Sequence, residues 1–258
     1  MSLWILGGLD PTRGAGLHRD LVTARVRAPG LRRCFAVTAL TEQGHGQPAR
    51  AWAVPASRLR ARVRRWPRPL AIKVGLVPDE LAATVAELVG PASELGVPVV
   101  VDPVLRASDG GRLGASPEGL APLLAVATLV TPNLHEARAL VGGGLGEAPK
   151  REEALAAALG RRWPAALVLL KGGHGADPEQ VVDRLIEGSN VTLLARPRLA
   201  GPDPRGTGCA LATAIAAGLA LGATLREAVG AAIAWLDEER TAWHEGPDGR
   251  AHLPDHGR

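Results

Sequence analysis

The chain has no tyrosine, one phenylalanine, one methionine and two cysteines in 258 residues. Two cysteines, Cys34 and Cys209, are too few for a disulfide framework or a cysteine-rich zinc site. Lysine is scarce too: apart from Lys73, Lys150 and Lys171, the positive charge is arginine, and the net charge is +4. The densest basic run, Arg58, Arg60, Arg62, Arg64, Arg65 and Arg68, lies on an expected helix and reads as a solvated face. With aromatics at 3%, little is available to stack on bases, and no nucleic-acid motif occurs, so nucleic acid is not an expected partner. No charged leader precedes a long apolar run, and no apolar stretch could span a bilayer without Gly, Pro or charge interrupting it. A cytoplasmic protein without a membrane partner is therefore expected. Two phosphate signatures are also missing after the first strand: the Gly-x-Gly-x-x-Gly of dinucleotide sites and the Gly-Lys-Ser/Thr of P-loops.

What remains is an alternation of short apolar runs and amphipathic helices. Leu3–Leu6, Cys34–Leu40, Leu70–Gly75, Pro98–Val101, Thr128–Thr131 and Ala165–Leu170 read as strands. Helices are expected near Asp20–Val26, over Asp79–Val89 with Gly90-Pro91 ending or kinking it, over Lys150–Trp163, over Ala210–Leu221 and over Leu225–Arg240. Trp52-Ala53-Val54 is a weak strand, and residues 41–46 read as a polar loop. Gln180–Ile186 and Val191–Ala195 read as a hairpin. This pattern predicts one α/β domain over residues 1–258: a doubly wound, mainly parallel central sheet with helices on both faces and a late antiparallel hairpin. The tail from about residue 244, rich in Gly, Pro and His, is expected to be loose.

In such sheets ligands gather at the C-terminal ends of the strands. Several of those ends carry polar groups. Asp102 follows Val99-Val100-Val101, where an Asp-Pro turn would look the same locally. Asn133 and Glu136 share one helix face; they could hold a water-clad magnesium ion, form a capping box, or do both. Lys171 before Gly172-Gly173 can aim an ammonium at phosphate. Gln43 offers one acceptor and two donors on a planar amide, which suits an aminated heterocycle. The organising stretch is Arg205-Gly206-Thr207-Gly208-Cys209, a glycine turn opening a helix. Its free N–H groups and helix dipole make an anion hole, and the dipole there favours a Cys209 thiolate.

Taken in order, Asp10 with Gly14-Ala15-Gly16, Thr38-Ala39-Leu40 with Gln43, Lys73-Val74-Gly75, Val101-Asp102-Pro103-Val104, Thr131-Pro132-Asn133 with Glu136, Lys171-Gly172-Gly173-His174 and Gly206-Thr207-Gly208-Cys209 form an ordered set. The set resembles the bacterial hydroxymethylpyrimidine and phosphomethylpyrimidine kinases of thiamine biosynthesis, in the ribokinase superfamily, from about Leu3 to the last helix. The resemblance implies an ATP- and Mg²⁺-dependent transfer to the hydroxymethyl group of 4-amino-5-hydroxymethyl-2-methylpyrimidine, to its monophosphate, or to both. It gives Gly206, Thr207, Gly208 and Cys209 the catalytic turn, with Cys209 where most ribokinase-like enzymes carry an aspartate base. Gln43, Gly16, Asp20, Asp10 and Leu76 fall on the substrate side, Lys171 and Asn133 on the nucleotide phosphates, and Glu136 and Asp102 on the metal. It also raises a homodimer as an assembly.

The chain departs from that pattern. Arg13 replaces a glycine usual in the first loop, Leu9 a serine, and Leu76 a methionine; Gly44-His45 stand where Asn-Thr is usual, and Arg205 replaces the histidine before Gly-Thr-Gly-Cys. Two alternatives follow. One is a pyridoxal-type vitamin kinase, in which Gln43 faces a pyridine. The other is a non-catalytic pyrimidine-binding paralogue, favoured by Arg13 and Arg205.

Overall fold

The computed structural model describes residues 1–44, 47–106, 111, 113–142, 148–163, 166–175 and 177–256, without the side chains of residues 43, 44, 47 and 48. Along the chain run β1 (Ser2–Leu9), α1 (Gly16–Arg27), β2 (Arg32–Gly44), β3 (Gln47–Ala53), α2 (Ala56–Val63), β4 (Pro69–Val74), α3 (Asp79–Glu94) and β5 (Val99–Val101). There follow α4 (Ala121–Ala125), β6 (Leu129–Val130), α5 (Leu134–Gly142), α6 (Glu152–Arg162), β7 (Leu167–Leu170), β8 (Gln180–Glu187) and β9 (Asn190–Pro197). The last elements are α7 (Thr207–Ala220), α8 (Leu225–Thr241), β10 (His244–Glu245) and β11 (Ala251–His252).

Among the described residues one nine-stranded sheet runs in the order β3-β2-β1-β4-β5-β6-β7-β8-β9. The pairs from β2 to β7 are parallel; β3, β8 and β9 each join antiparallel. The continuous apolar runs explain the layering. Val99, Val100 and Val101 are 0% exposed because both sheet faces are covered. On one face α1, α7 and α8 pack over Leu3, Ile5 and Leu169; alanines at 210, 212, 214, 216 and 217 let α7 approach closely. On the other, α2, α3 and α4 cover Trp4, Leu6, Ile72 and Val74, and α5 with α6 close over Val168, Leu170 and Ile186. The doubly wound, mainly parallel architecture expected from the alternation is the one found.

Three local expectations are corrected. Residues 41–44 are not loop: β2 continues to Gly44 and folds back on β3 as an antiparallel hairpin, with Leu40 opposite Trp52 and Glu42 opposite Arg50. Second, of the end or kink expected at Gly90-Pro91 the end is not found: α3 runs to Glu94 with Pro91 inside it. The clash that normally ends a helix before proline involves the Cβ of the preceding residue, and Gly90 has none. Third, the tail from 244 is docked. β10 and β11 pair, Leu253 is 1% exposed in the main core, and buried Arg19 of α1 donates to the carbonyls of Pro254 (2.7 Å) and Leu253 (2.8 Å).

Candidate active site

Parallel strands bring the loops after β1, β4, β5, β6 and β7 to one rim, and α7 starts at the same rim. They enclose a cleft of about 960 Å³. Gly206 caps α7 with φ 78°, and a Cβ there would lie 2.3 Å from the Gly14 carbonyl oxygen, so glycine is required twice over. The cap has no side-chain hydrogen bond, and the first turn holds no acidic residue. The N–H groups of that turn thus form an anion site with no carboxylate of their own. A Cβ at Gly208 would sit 3.1 Å from Lys171 Nζ and 3.6 Å from Asp102 Oδ2, so the start of α7 abuts that pair. Thr207 and Cys209 line the same cleft.

Lys171 Nζ donates to Asp102 Oδ1 at 3.1 Å, and the Thr131 hydroxyl approaches the same oxygen at 3.4 Å. Asn133 and Glu136 form the expected box: the Asn133 N–H donates to Glu136 Oε2 at 2.8 Å, and the Glu136 N–H donates to Asn133 Oδ1 at 2.9 Å. Burial pushes the Glu136 carboxyl up to about 7; Lys171 pulls it back, Asp102 adds to the rise, and the N–H groups of Asn133 and Leu105 oppose it. Burial acts to lower the Lys171 ammonium, but Asp102 and Glu136 outweigh it and hold the lysine charged. One cation thus lies against two carboxylates, which leaves an excess of negative charge beside an anion hole.

Cys209 overturns one expectation. The thiol is pushed up to about 12, first by the surrounding protein atoms, which desolvate it; Lys73 pulls it down, while Asp20 and Asp102 push it further up. The resting group is a thiol, not a thiolate.

The substrate-side residues divide. Gly16 (φ 60°), Leu76 and Asp10 line the cleft. Asp10 does not offer a free carboxylate: it accepts from Thr12, from the Ala15 N–H (3.1 Å) and from Arg205 (2.9 Å). Arg205 also pairs with Asp248 at 3.0 Å and is 4% exposed, so its charge is spent holding the first loop and the tail hairpin together. Asp20 is among the residues lining the cleft, with 0% exposure. Both its oxygens lie 2.8 Å from the buried Lys73 ammonium, and Oδ1 also takes the Thr213 hydroxyl at 2.8 Å. Burial pushes the Asp20 carboxyl up and Lys73 opposes it; Lys73 itself is held above its usual value by Asp20 against the effect of burial. The two-oxygen geometry is that of an ionised pair. Asp20 therefore braces α1 against β4 and α7. Gln43 is on β2 one residue before its end, with its side chain outside the described residues. Arg13 is exposed at φ 64°, a left-handed backbone that accounts for glycine being usual there.

Residues 10–253 match the family model described as phosphomethylpyrimidine kinase. A hydroxymethylpyrimidine/phosphomethylpyrimidine kinase from Streptomyces coelicolor is 38% identical over 246 residues, covering 92% of this chain and 87% of that protein. The chain belongs to the phosphomethylpyrimidine kinase family. Another relative in that family, from Rhizobium meliloti, is 34% identical over 90% of this chain and 87% of its own. Among solved structures, the pyridoxal kinase from Staphylococcus aureus in complex with ADP superposes with a TM-score of 0.82 at 26% identity, covering 98% of this chain and 93% of that one. A phosphomethylpyrimidine kinase from Clostridium difficile gives 0.70 at 25% identity, covering 92% and 97%.

Several residues that support this rim carry no local signal in the sequence. Lys73 was visible only as part of a strand end, and its partner is 53 positions away. Asp183 and Arg198, which hold the loop after Lys171, lie on or after a hairpin with nothing local to mark them.

Proposed function

We propose that this chain transfers the γ-phosphoryl group of ATP, with Mg²⁺, to the hydroxymethyl oxygen of 4-amino-5-hydroxymethyl-2-methylpyrimidine and then to the resulting monophosphate. The observation that carries this reading is the closeness of the first turn of α7 to the Lys171–Asp102 pair, where a Cβ added at Gly208 would lie 3.1 Å from Lys171 Nζ. Donors aimed at one point from a helix end and a lysine suit a group that gains negative charge at its oxygens as it moves.

Asp102 and Glu136 fit magnesium. Among the described residues no cluster of three His, Cys, Asp or Glu forms a closed metal site. Magnesium needs none: one or two carboxylates suffice, with water and phosphate oxygens completing the shell. The raised Glu136 carboxyl marks two acids crowded in a buried place, which a divalent cation would relieve. When bound, the ion would neutralise charge on the nucleotide phosphates. Lys171 meets those phosphates from the β7 end, while Asn133 holds Glu136 in its rotamer. The N–H groups of residues 207–209 receive the moving group. Cys209, protonated at rest, orients the substrate hydroxyl; it is not a standing base. In a loose transition state the hydroxyl proton leaves late, onto an oxygen of the transferred group, as the bond from phosphorus to the nucleotide oxygen breaks.

A second reading, phosphorylation of pyridoxal, is favoured by the 0.82 superposition on a pyridoxal kinase against 0.70 on the pyrimidine kinase. ADP release measured over hydroxymethylpyrimidine, its phosphate, pyridoxal and ribose separates the readings. Release with the pyrimidines is expected. Release with pyridoxal alone supports the second reading, and silence across the panel with measurable ligand binding supports a non-catalytic paralogue.

A further inference from the structure

The loop after Lys171 is held from outside by one arginine. Gly172 to Gly175 is a β-turn closed by the Gly175 N–H donating to the Gly172 carbonyl at 2.8 Å. Its first corner is fixed by Asp183, whose Oδ1 accepts the Gly172 N–H at 2.7 Å; Asp183 is itself held by Arg196 at 2.7 Å. A Cβ on Gly172 would stand 2.1 Å from the Val182 carbonyl, so the turn is pressed onto β8. Arg198, just after β9, then donates to four backbone carbonyls: Gly173 (2.8 Å), Asp177 (2.9 Å), Gly175 (3.2 Å) and Gln180 (3.3 Å).

The Gly173 bond matters most. In a four-residue turn the central peptide has two orientations related by a flip, and these distinguish the type I and type II forms. Here the central peptide joins Gly173 to His174. Because C=O and N–H point in opposite directions in a trans peptide, a Gly173 carbonyl held by Arg198 turns the His174 N–H the other way. Gly173 and His174 line the cleft, and Arg198 is not among its lining residues. The flipped form would need a positive φ at His174, which His174 does not have here and which a non-glycine residue resists.

We propose that Arg198 is a positioning residue for the nucleotide. It locks the central peptide of the Gly172–Gly175 turn so that an N–H, not a carbonyl oxygen, faces phosphate beside Lys171. This rests on the reading of Lys171 as the nucleotide-phosphate lysine. Loss of Arg198 frees the peptide to flip and sets a carbonyl dipole against an anion.

The test is calorimetric ADP binding and pyrimidine binding to wild type, Arg198→Ala, Arg198→Lys and His174→Gly, together with the KM for ATP. Arg198→Ala is expected to weaken ADP and raise the ATP KM at least fivefold, with pyrimidine affinity changed less than twofold. Millimolar guanidinium should recover part of the loss. His174→Gly, which removes the resistance to positive φ, should weaken ADP more in the Arg198→Ala background than in the wild type. If Arg198→Ala does not fold, Arg198→Lys carries the same expected split. ADP affinity within twofold of wild type, or equal loss of both ligands, overturns the proposal. An active wild type with an unaltered Arg198→Ala KM defeats this inference alone. A wild type that binds no ADP defeats the kinase reading and this inference with it.

Discussion

Replacing Glu136 by glutamine probes the charge balance of the rim. Glu136 is 8% exposed, and its carboxyl is pushed from 4.5 up to about 7 by burial and by Asp102, against Lys171. Below pH 4.5 the group is protonated in both the folded and the unfolded chain. Between 4.5 and about 7 the unfolded chain has released its proton while the folded chain keeps it, so rising pH favours unfolding. Above that window the loss is complete, and the distance between the two values corresponds to about 3 kcal/mol. Glutamine is neutral throughout and can still accept the Asn133 N–H, while Lys171 keeps Asp102. Glu136→Gln is therefore expected to match wild type near pH 4.5 and to exceed it by up to about 3 kcal/mol at pH 8 without metal. Urea unfolding at pH 5, 6, 7 and 8 reads this directly. Wild type should also gain more from Mg²⁺ and ADP at pH 8 than at pH 6, and the variant should lose that dependence along with most kcat/KM. A variant with the same pH slope as wild type, or one less stable at pH 8, refutes the reasoning.

Three further outcomes follow from the same structure. Cys209, held as a thiol near 12, should react slowly with iodoacetamide at pH 8, with a rate that climbs about tenfold per pH step up to pH 11; a rate already level at pH 8 by mass spectrometry would restore the thiolate. Lys73→Met leaves Asp20 without its countercharge at 0% exposure, held by the Thr213 hydroxyl, and should cost about 3–5 kcal/mol in chemical denaturation, with Asp20→Leu added to it recovering most of the loss. Truncation after residue 243 removes Leu253 from the core and takes away the carbonyl partners of Arg19, so a loss of at least about 3 kcal/mol is expected in the urea midpoint; an unchanged midpoint would mean that the tail is merely resting on the surface.

Much of this architecture was legible in the chain because burial on both faces writes itself as unbroken apolar runs. Val99-Val100-Val101 announces a central strand and sets Asp102 at its tip. The rim was legible for the same reason: parallel strands deliver their last residues to one side, so Asp102, Asn133, Glu136 and Lys171 could be grouped without knowing distances. Contacts between distant positions were not legible. Asp20 looked like a loop-side acid because nothing near it in sequence reveals Lys73 and Thr213. The helix dipole at Cys209 is a local signal, whereas the carboxylates of Asp20 and Asp102, which push the thiol up, come from distant positions. The hairpin at residues 41–44 was hidden because Glu42 and Gly44 break the apolar alternation of an otherwise ordinary strand. The docked tail rests on Leu253, on its backbone carbonyls and on the Arg205–Asp248 pair, contacts across distant positions that composition does not record.

The buried Lys73–Asp20 pair ties together three pieces of chain that are far apart in sequence: β4, α1 and, through Thr213, α7. Neither charge tolerates an apolar setting until the other arrives. An assembly intermediate with the central strands collapsed and the first helix still detached would strand an ammonium in hydrocarbon. Formation of the sheet and attachment of both helices should thus occur as one concerted event, and the ground on which the glycine turn stands should melt as a unit, with no gradual fraying from one end.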